Sequence, residues 1–240
     1  MEKEKFKKEL AKKASKLGIE LLEEGQNQFY QYMQLLLEWN EKMNLTAITE
    51  PKEVLDKHFI DSISIAKYIN KNDKILDIGT GAGFPGIPLK IIMPQNEITL
   101  LDALNKRINF LKEVIQKLKL ERIEAIHGRA EEFSKISGNR ESYDIVVSRA
   151  VAKLNVLLEY MLPFVKMGGK CICMKAIEID EEIEEAKKAI EILGGKIETI
   201  DIITLAETGI KRKIIVIKKI KETPKKYPRK AGTPTKEPLS

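Results

Sequence analysis

Four glycines follow a short apolar segment at a spacing that could hold a nucleotide. Residues 74–78 (KILDI) place Asp77 next to the end of the segment, and residues 79–86 (GTGAGFPG) follow it. The apolar run predicts a buried parallel strand, and glycine lets a backbone turn sharply or approach a ligand closely. Strand, glycine turn and helix in this order predict a nucleotide site at the carboxyl edge of an open α/β sheet. An ordinary glycine-rich turn is the alternative.

The glycine spacing admits two cofactors. Residues 81–86 satisfy the dinucleotide pattern G-x-G-x-x-G, and Asp102, which ends the second predicted strand, could bind a ribose hydroxyl in NAD or in S-adenosylmethionine. Asp77 favours S-adenosylmethionine, because a carboxylate attracts a cationic sulfonium and repels a pyrophosphate. We therefore predict that Asp77, Gly79, Gly81 and Gly83 bind S-adenosylmethionine, with an NAD-dependent oxidoreductase as the alternative.

Further cofactor contacts are expected where the second and third strands end, since ligands bind outside the carboxyl ends of the strands. Ala103 and Leu104 follow Asp102 and should flank the adenine. Ala130 and Glu131 begin the helix after the third strand and suit the adenine edge. For Glu131, a charge that only stabilises the helix dipole is the alternative.

Arg149 directly follows the apolar run of the fourth predicted strand, so it should face the entry of the methyl acceptor. A surface ion pair is the alternative for this residue. His58 and Lys175 are further candidates for holding a target nucleotide, although His58 could equally be a buried hydrogen-bonding residue beside Asp61.

Composition indicates a globular protein of 240 residues, 43% hydrophobic and 32% charged. No apolar run approaches the roughly 20 residues of a membrane span, and the first residues lack the apolar core of a signal peptide. Cys171 and Cys173 alternate with apolar residues on one predicted strand, which predicts reduced core thiols. We expect a cytoplasmic protein with no membrane association and no metal.

The net charge of +6 is concentrated at the carboxyl terminus. Residues 211–240 carry eleven Lys or Arg and two Glu, a balance of +9, so the other 210 residues sum to −3. This asymmetry predicts a polyanionic partner that contacts the C-terminal region, with a merely solubilising tail as the alternative.

Hydrophobic periodicity divides the chain into three parts: a helical region over residues 1–73, an alternating strand–helix domain over 74–220, and a basic, flexible tail over 221–240. Helices are predicted before residue 18, over 26–43 and from residue 51. In the domain, helices are predicted at 85–92, 104–118, 130–135, 153–165 and 179–193. Strands are predicted at 74–78, 97–102, 122–126, 143–148, 169–175, 196–204 and 212–220.

Alternating strands and helices predict a mostly parallel sheet that is covered on both faces. Only residues 206–210 connect the last two predicted strands, which is too short for a helical crossover, so these strands should pair antiparallel. An α/β sheet of seven strands with a reversed final strand resembles the Rossmann-like class I S-adenosylmethionine-dependent methyltransferase fold. The N-terminal helices should pack on it as an extension.

Several longer motifs resemble one family of such enzymes. They are residues 39–46 (WNEKMNLT), 58–62 (HFIDS), 77–89 (DIGTGAGFPGIPL), 101–107 (LDALNKR), 148–150 (SRA) and 227–234 (YPRKAGTP). In this order they resemble the GidB/RsmG family of bacterial 16S ribosomal RNA guanine-N7 methyltransferases.

The resemblance implies that S-adenosylmethionine donates a methyl group to a guanosine of the small ribosomal subunit. It also implies cofactor contacts at Gly79, Phe84, residues 102–104, residues 130–131 and Arg149. Guanine N7 has an in-plane lone pair and no hydrogen, so no catalytic base is predicted and Arg149 is a candidate only for orienting the substrate. The partner would be 16S rRNA, bound by a monomer. A non-catalytic rRNA-binding assembly factor is a further alternative.

Overall fold

A computed structural model describes residues 1–149, 152–205 and 207–239. Its centre is a seven-stranded sheet with the order β3-β2-β1-β4-β5-β7-β6. The strands are β1 (Lys74–Ile78), β2 (Glu97–Asp102), β3 (Ile123–His127), β4 (Tyr143–Arg149), β5 (Val165–Lys175), β6 (Gly195–Thr204) and β7 (Lys211–Lys219).

The strand order reverses at β1, because β2 and β3 lie on one side of it and β4 lies on the other. This reversal positions the candidate site. β1 pairs in parallel with β2 on one side and with β4 on the other, so the carboxyl ends of these three strands meet at one edge. β7 pairs antiparallel with both β5 and β6. The predicted reversed final strand is therefore confirmed.

Helices cover both faces of the sheet. They are α5 (Gly86–Ile92), α6 (Asn105–Lys117), α7 (Ala130–Phe133), α8 (Leu154–Met161) and α9 (Asp180–Ile192). Two apolar clusters fill the space between the layers. The first joins α5, α6 and the N-terminal helices to one face, and the second joins α8 and α9 to the other.

The segment after α8 differs from the sequence prediction. The predicted helix over 153–165 ends at Met161 and continues as a 3₁₀ turn over Leu162–Phe164. Pro163 has no N–H to donate to the α-helical ladder, which explains why α8 does not continue through it. β5 then begins at Val165 rather than at 169, with Gly168 at a φ of 79° next to a register shift against β4.

The N-terminal region forms a helical cap on the sheet. It consists of α1 (Lys3–Ser15), α2 (Glu23–Met43), α3 (Pro51–Val54), a π-helical turn over Leu55–Ile60, α4 (Asp61–Ile63) and a 3₁₀ turn over Ala66–Tyr68. The ring of Phe59 lies 5.1 Å from Phe29, 5.3 Å from Tyr32 and 6.1 Å from Phe84 between ring centroids. Since Phe84 belongs to the glycine-rich segment, the aromatic core of the cap extends to the candidate site.

The lysine-rich helix α1 is less exposed than its charge suggests. Lys7 and Lys13 are buried, and Lys13 forms a buried ion pair with Asp56 of the π-helical turn. A lysine is rarely buried unless an opposite charge pairs with it. The sequence does not indicate that Asp56 pairs with Lys13.

The C-terminal segment contacts the domain, which differs from the flexible tail that its composition predicts. Arg140 donates hydrogen bonds to the carbonyls of Thr223 and Tyr227, at 2.6 and 2.7 Å. Tyr227 is buried in the second apolar cluster, and Arg229 forms an ion pair with the fully buried Glu159 of α8. A short helix, α10 (Thr233–Lys236), follows.

Each helix in the described ranges is too short or too polar to cross a membrane. Cys171 and Cys173 are buried free thiols inside β5, as predicted.

Candidate active site

A cavity of about 460 Å³ lies at the sheet edge where β1, β2 and β4 end. It is open to solvent on one side, and both the sheet and the cap contribute to its wall. The lining residues are Leu45, Thr46, His58, Gly79, Thr80, Gly81, Ala82, Phe84, Asp102, Ala103, Leu104, Arg107 and Arg149.

The glycine turn forms the floor of this cavity. Gly79 and Gly81 have φ values of 68° and 62°, in the left-handed region that favours glycine. The N–H groups of Gly79 and Thr80 both donate to the carbonyl of Leu101, at 2.9 and 3.2 Å, which fixes the turn to β2. The turn therefore presents a tightly folded backbone to a ligand.

Gly83 lies beneath the turn, away from the cavity lining. A Cβ at Gly83 would lie 2.6 Å from Ile87 and 2.7 Å from the hydroxyl of Tyr32. At Gly86 it would lie 2.2 Å from Leu100. These glycines allow α5 to pack closely against β2 and the cap, so Gly83 is placed to shape the turn.

Asp77 is also placed beneath the turn. It is fully buried, and its Oδ2 accepts hydrogen bonds from Thr80 Oγ1 at 2.7 Å and from Gly86 N at 2.8 Å. Its Oδ1 has no hydrogen-bond partner among the described residues. Burial raises the pKa of Asp77 to about 7, although the two hydrogen bonds act in the opposite direction and lower it. The charge of Asp77 therefore depends on pH in the neutral range. The structure thus assigns this carboxylate to the support of the turn.

Asp102 joins the glycine turn to the start of α6. Its Oδ2 accepts from Gly81 N at 2.9 Å, its Oδ1 accepts from Leu104 N at 2.9 Å, and Arg107 forms an ion pair with it at 3.2 Å. A carboxylate has about four acceptor positions, and Gly81 N, Leu104 N and Arg107 Nη1, which reaches both oxygens, occupy them, so a ligand diol would bind here in place of the Arg107 contacts. Arg107 completes a charged wall on the β2 side of the cavity.

A smaller cavity of about 210 Å³ adjoins the first and shares Gly79, Asp102 and Ala103 with it. Ala130 and Glu131, at the start of α7, line this second cavity together with Tyr160 of α8. The candidate residues after β3 thus line one cavity with Gly79 of the glycine turn and with Asp102 and Ala103. The two cavities provide an elongated site along the sheet edge.

Arg149 ends β4 and is held on the opposite side of the main cavity. Its Nη1 donates to the Lys57 carbonyl at 2.9 Å and to Asp61 Oδ2 at 3.0 Å. Its guanidinium carbon lies 4.9 Å from the centroid of the Phe84 ring, within range of a cation–π contact. These contacts fix the position of the guanidinium at the cavity wall.

His58 lies next to Arg149 and stacks on Phe84, with 4.5 Å between ring centroids and 18° between ring planes. Burial, and then the charge of Arg149, lower the pKa of His58 to about 3. The imidazole is therefore neutral at physiological pH and accepts a hydrogen bond from Arg149 Nη2 through Nδ1, at 3.1 Å.

Comparison with known proteins identifies the family. The model of the GidB family, described as rRNA small subunit methyltransferase G, matches residues 25–214. The protein of that name from Alkaliphilus oremlandii is 54% identical over 94% of this chain and 95% of its own length. Its counterpart from Acetivibrio thermocellus is 55% identical over 98% of each chain. The chain belongs to the rRNA small subunit methyltransferase G family.

Solved structures with low sequence identity share the fold. An S-adenosylmethionine-dependent methyltransferase from Aquifex aeolicus has a TM-score of 0.55 at 18% identity, covering 74% of this chain and 97% of that chain. A TYW2 protein from M. jannaschii, crystallised with AdoMet, has a TM-score of 0.53 at 20% identity, covering 66% and 73%. The predicted methyltransferase fold is confirmed.

The positions implied by the family resemblance fall into the two cavities. Gly79, Phe84, residues 102–104 and Arg149 line the larger one, and residues 130–131 line the smaller. Of the remaining predicted contacts, Gly81 lines the larger cavity, and Asp77 and Gly83 lie beneath it. Ala150, part of the SRA motif, lies outside the described residues.

Lys175, a candidate for holding the target nucleotide, lies away from the main cavity. Its ammonium group is buried and bonded to Glu182 and to the Ala152 carbonyl. Thr46 and Arg107 also line the main cavity, and the sequence alone indicates no role for them, although both belong to the motifs that carry the family resemblance. Their polar side chains within those motifs were the available signal.

Proposed function

We propose that this protein transfers a methyl group from S-adenosylmethionine to N7 of a specific guanosine in 16S ribosomal RNA. One observation carries this proposal. This chain belongs to the methyltransferase G family, and its Gly79, Asp102 and Arg149 surround one cavity at the carboxyl edge of the sheet. The basic C-terminal region supports a nucleic-acid partner.

The residues of the site fit S-adenosylmethionine. The adjoining cavities of about 460 and 210 Å³ are in the size range of small-molecule sites. Asp102 is suited to the ribose, Leu104 and Ala130 to the adenine, and Gly79 with Phe84 to the methionine part. When bound, this cofactor supplies a methyl group activated by a sulfonium.

The protein's own groups act by positioning. Guanine N7 already presents a lone pair, so no proton must be removed before it attacks. His58 agrees with this, because its low pKa makes it a weak proton acceptor and its Nδ1 already accepts a hydrogen bond from Arg149. Holding a nucleophile in line with its target can supply several kcal/mol of the barrier reduction. The fixed guanidinium of Arg149 and the ring of Phe84 provide a rigid wall for this alignment.

The partner is inferred from the same evidence. A target in 16S rRNA of the small subunit implies action in the cytoplasm, where ribosomes are assembled, and we expect a monomer to bind it. A base presented from a loop or flipped from a helix suits an open cavity of this kind.

Methylation of small ribosomal subunits that lack the modification tests the proposal. Transfer of a labelled methyl group, followed by reduction, aniline cleavage and primer extension, maps N7-methylguanosine to one position. Gly79→Asp should abolish transfer and binding of S-adenosylhomocysteine, because it adds a carboxylate and a strained φ at the cavity floor. Gly18→Asp is the matched control, since Gly18 has a φ of 75° in open space.

Two results would contradict the proposal. Tight binding of NAD with no binding of S-adenosylmethionine in titration calorimetry would favour an oxidoreductase. Binding of small subunits without methyl transfer would favour a non-catalytic assembly factor.

A further inference from the structure

The loop that connects the cap helices places Thr46 at the main cavity. α2 ends at Met43, and the next residue, Asn44, caps the helix with a left-handed φ of 47°. The side chain of Asn40 then accepts a hydrogen bond from Thr46 N at 2.8 Å, and Thr46 Oγ1 accepts one from Ile48 N at 3.0 Å. The loop is thus fixed at both ends of Thr46, and this residue lines the cavity beside Leu45.

Arg149 determines which nitrogen of His58 carries the proton. A guanidinium has only donors, so the 3.1 Å contact from Arg149 Nη2 requires an unprotonated Nδ1. Because the imidazole is neutral, its single proton is on Nε2. Nε2 lies 2.8 Å from Thr46 Oγ1, so His58 is the donor in that hydrogen bond.

Thr46 Oγ1 therefore accepts two hydrogen bonds, from Ile48 N and from His58 Nε2. A hydroxyl has two acceptor positions and one proton, so both acceptor positions are used and the proton must point in the remaining direction. The hydrogen bonds of the described residues supply no protein acceptor for it. The chain Arg149–His58–Thr46 thus produces a hydroxyl that can only donate, at the wall of the candidate site.

We propose that the Thr46 hydroxyl donates a hydrogen bond to the O6 carbonyl oxygen of the target guanine and so orients N7 toward the methyl donor. This inference rests on the proposed function. Thr46 is linked to Arg149 at the end of β4, whereas the ribose-binding candidate Asp102 ends β2, and β1 lies between these strands. The Thr46 hydroxyl is thus on the side of the cavity where the methyl-accepting base would enter. On guanine, O6 neighbours N7 on the same edge, so a hydrogen bond to O6 would also position N7.

The same donor chemistry would also suit the carboxylate of the cofactor, so the experiments must separate the two oxygens. For Thr46→Val, we expect kcat/KM on small subunits to fall at least 10-fold, about the usual effect of the one hydrogen bond lost to O6, since the variant also removes the acceptor of Ile48 N and His58 Nε2. The dissociation constant of S-adenosylhomocysteine should stay within about twofold of the wild-type value. A weaker affinity for S-adenosylhomocysteine that accounts for the whole loss would overturn the assignment to guanine O6.

Thr46→Ser keeps the hydroxyl and should retain wild-type activity. Thr49→Val is the matched control, because Thr49 is an exposed threonine of the same loop. Urea unfolding of all three variants identifies any change in folding. A Thr46→Val enzyme that is folded and as active as wild type would overturn the proposal, while a wild-type enzyme without N7 methylation would contradict the proposed function itself.

A substrate analogue tests the contact in the unaltered protein. Small subunits reconstituted with 2-aminopurine at the mapped position lack O6 but keep N7. The kcat/KM of the wild-type enzyme should be about 10-fold lower on this substrate than on the natural one. On the 2-aminopurine substrate, the kcat/KM of Thr46→Val should be no lower than that of the wild type, because the contact between Thr46 and O6 is already absent. Losses that multiply would show that Thr46 and O6 act independently.

The proton assignment can be tested by ¹⁵N NMR, since the chain has only two histidines, His58 and His127. Long-range proton–nitrogen correlations should show His58 protonated at Nε2 and unprotonated at Nδ1 at pH 7. Protonation at Nδ1 would make Thr46 the donor to His58, and the proposal would then be wrong.

Discussion

Asp61 of the cap and Arg149 of the sheet form an ion pair, with 3.0 Å between Oδ2 and Nη1. The other carboxylate oxygen of Asp61 lies 3.1 Å from Nε of Arg212, which belongs to β7. The side chain of Asp61 is fully buried, whereas both guanidinium groups retain some exposure. A single buried carboxylate therefore connects the N-terminal cap to two strands and helps to hold Arg149 at the site.

Replacing Asp61 should destabilise the protein and reduce its activity. In Asp61→Asn the amide nitrogen would face one of the two guanidinium groups, so a donor would meet a donor. Loss of one partner from a buried ion pair costs about 3 kcal/mol, and we expect the free energy of unfolding in urea to fall by this amount.

Asp201→Asn is the control, because the pair of Asp201 with Lys67 is exposed and its loss should cost less than about 1 kcal/mol. Equal losses in the two variants would show that Asp61 does not connect the cap to the sheet.

The sequence predicted the strand ends well, because apolar runs and short connections constrain an alternating α/β sheet. Gly79, Asp102 and Arg149 were found in this way, since each follows a recognisable strand. The contribution of the cap to the cavity was predictable only in part: His58 was a candidate for the target nucleotide, whereas Thr46 was not. Thr46 and His58 reach the site only because the loop after α2 and the π-helical turn pack against Arg149, and this tertiary contact has no sequence period.

The partners of buried charged residues were also not predictable from the sequence. Asp77 resembles a ligand contact in sequence, yet it is placed beneath the glycine turn with Thr80 and Gly86. The tail resembles a flexible segment, yet Arg229 reaches Glu159. A sequence shows that a charge is present, but only the packed structure shows which partner neutralises it.

The raised pKa of Asp77 predicts a pH-dependent stability. In the unfolded chain this carboxyl ionises near its usual value of 3.8, whereas in the folded protein its pKa is about 7. The favourable contribution of the protonated form is therefore complete below about pH 4 and is lost as the pH rises through about 7.

The difference in free energy of unfolding between wild type and Asp77→Asn should reveal this loss. Other titrating groups are common to both proteins and cancel in the difference. From pH 4 to pH 8, the wild-type protein should lose up to about 4 kcal/mol relative to the variant. A difference that is constant with pH would contradict the raised pKa.

The hydroxyl of Tyr32 connects the cap to the glycine turn. It donates a hydrogen bond to the carbonyl of Ala82, and the ring of Tyr32 lies 5.5 Å from Phe84 between centroids. Tyr32→Phe leaves that buried carbonyl without its donor, so the turn should be held less firmly. We expect a loss of about 1 kcal/mol in stability and a roughly five-fold weaker affinity for S-adenosylhomocysteine, measured by calorimetry.

Tyr30→Phe on the same helix is the control, because the ring of Tyr30 packs against Phe6 and its substitution leaves the turn unaltered. If Tyr30→Phe weakened the affinity as much as Tyr32→Phe, the effect would belong to the helix and not to the hydrogen bond.

The C-terminal segment should contribute to stability as well as to RNA binding. Glu159 is fully buried and accepts hydrogen bonds from Arg229 N at 2.8 Å, Nε at 2.9 Å and Nη2 at 2.6 Å. Arg229→Gln removes the charge that compensates this carboxylate. We expect the free energy of unfolding in urea to fall by about 3 kcal/mol at pH 7.

The adjacent Lys230 is exposed and provides the matched control. Lys230→Gln should change stability by less than about 0.5 kcal/mol, since surface substitutions away from buried partners have small effects. Both variants remove one positive charge from the tail, so electrostatic attraction to rRNA should weaken about equally in the two proteins. An Arg229→Gln protein as stable as Lys230→Gln would show that the tail is bound to the domain by other contacts than its pair with Glu159.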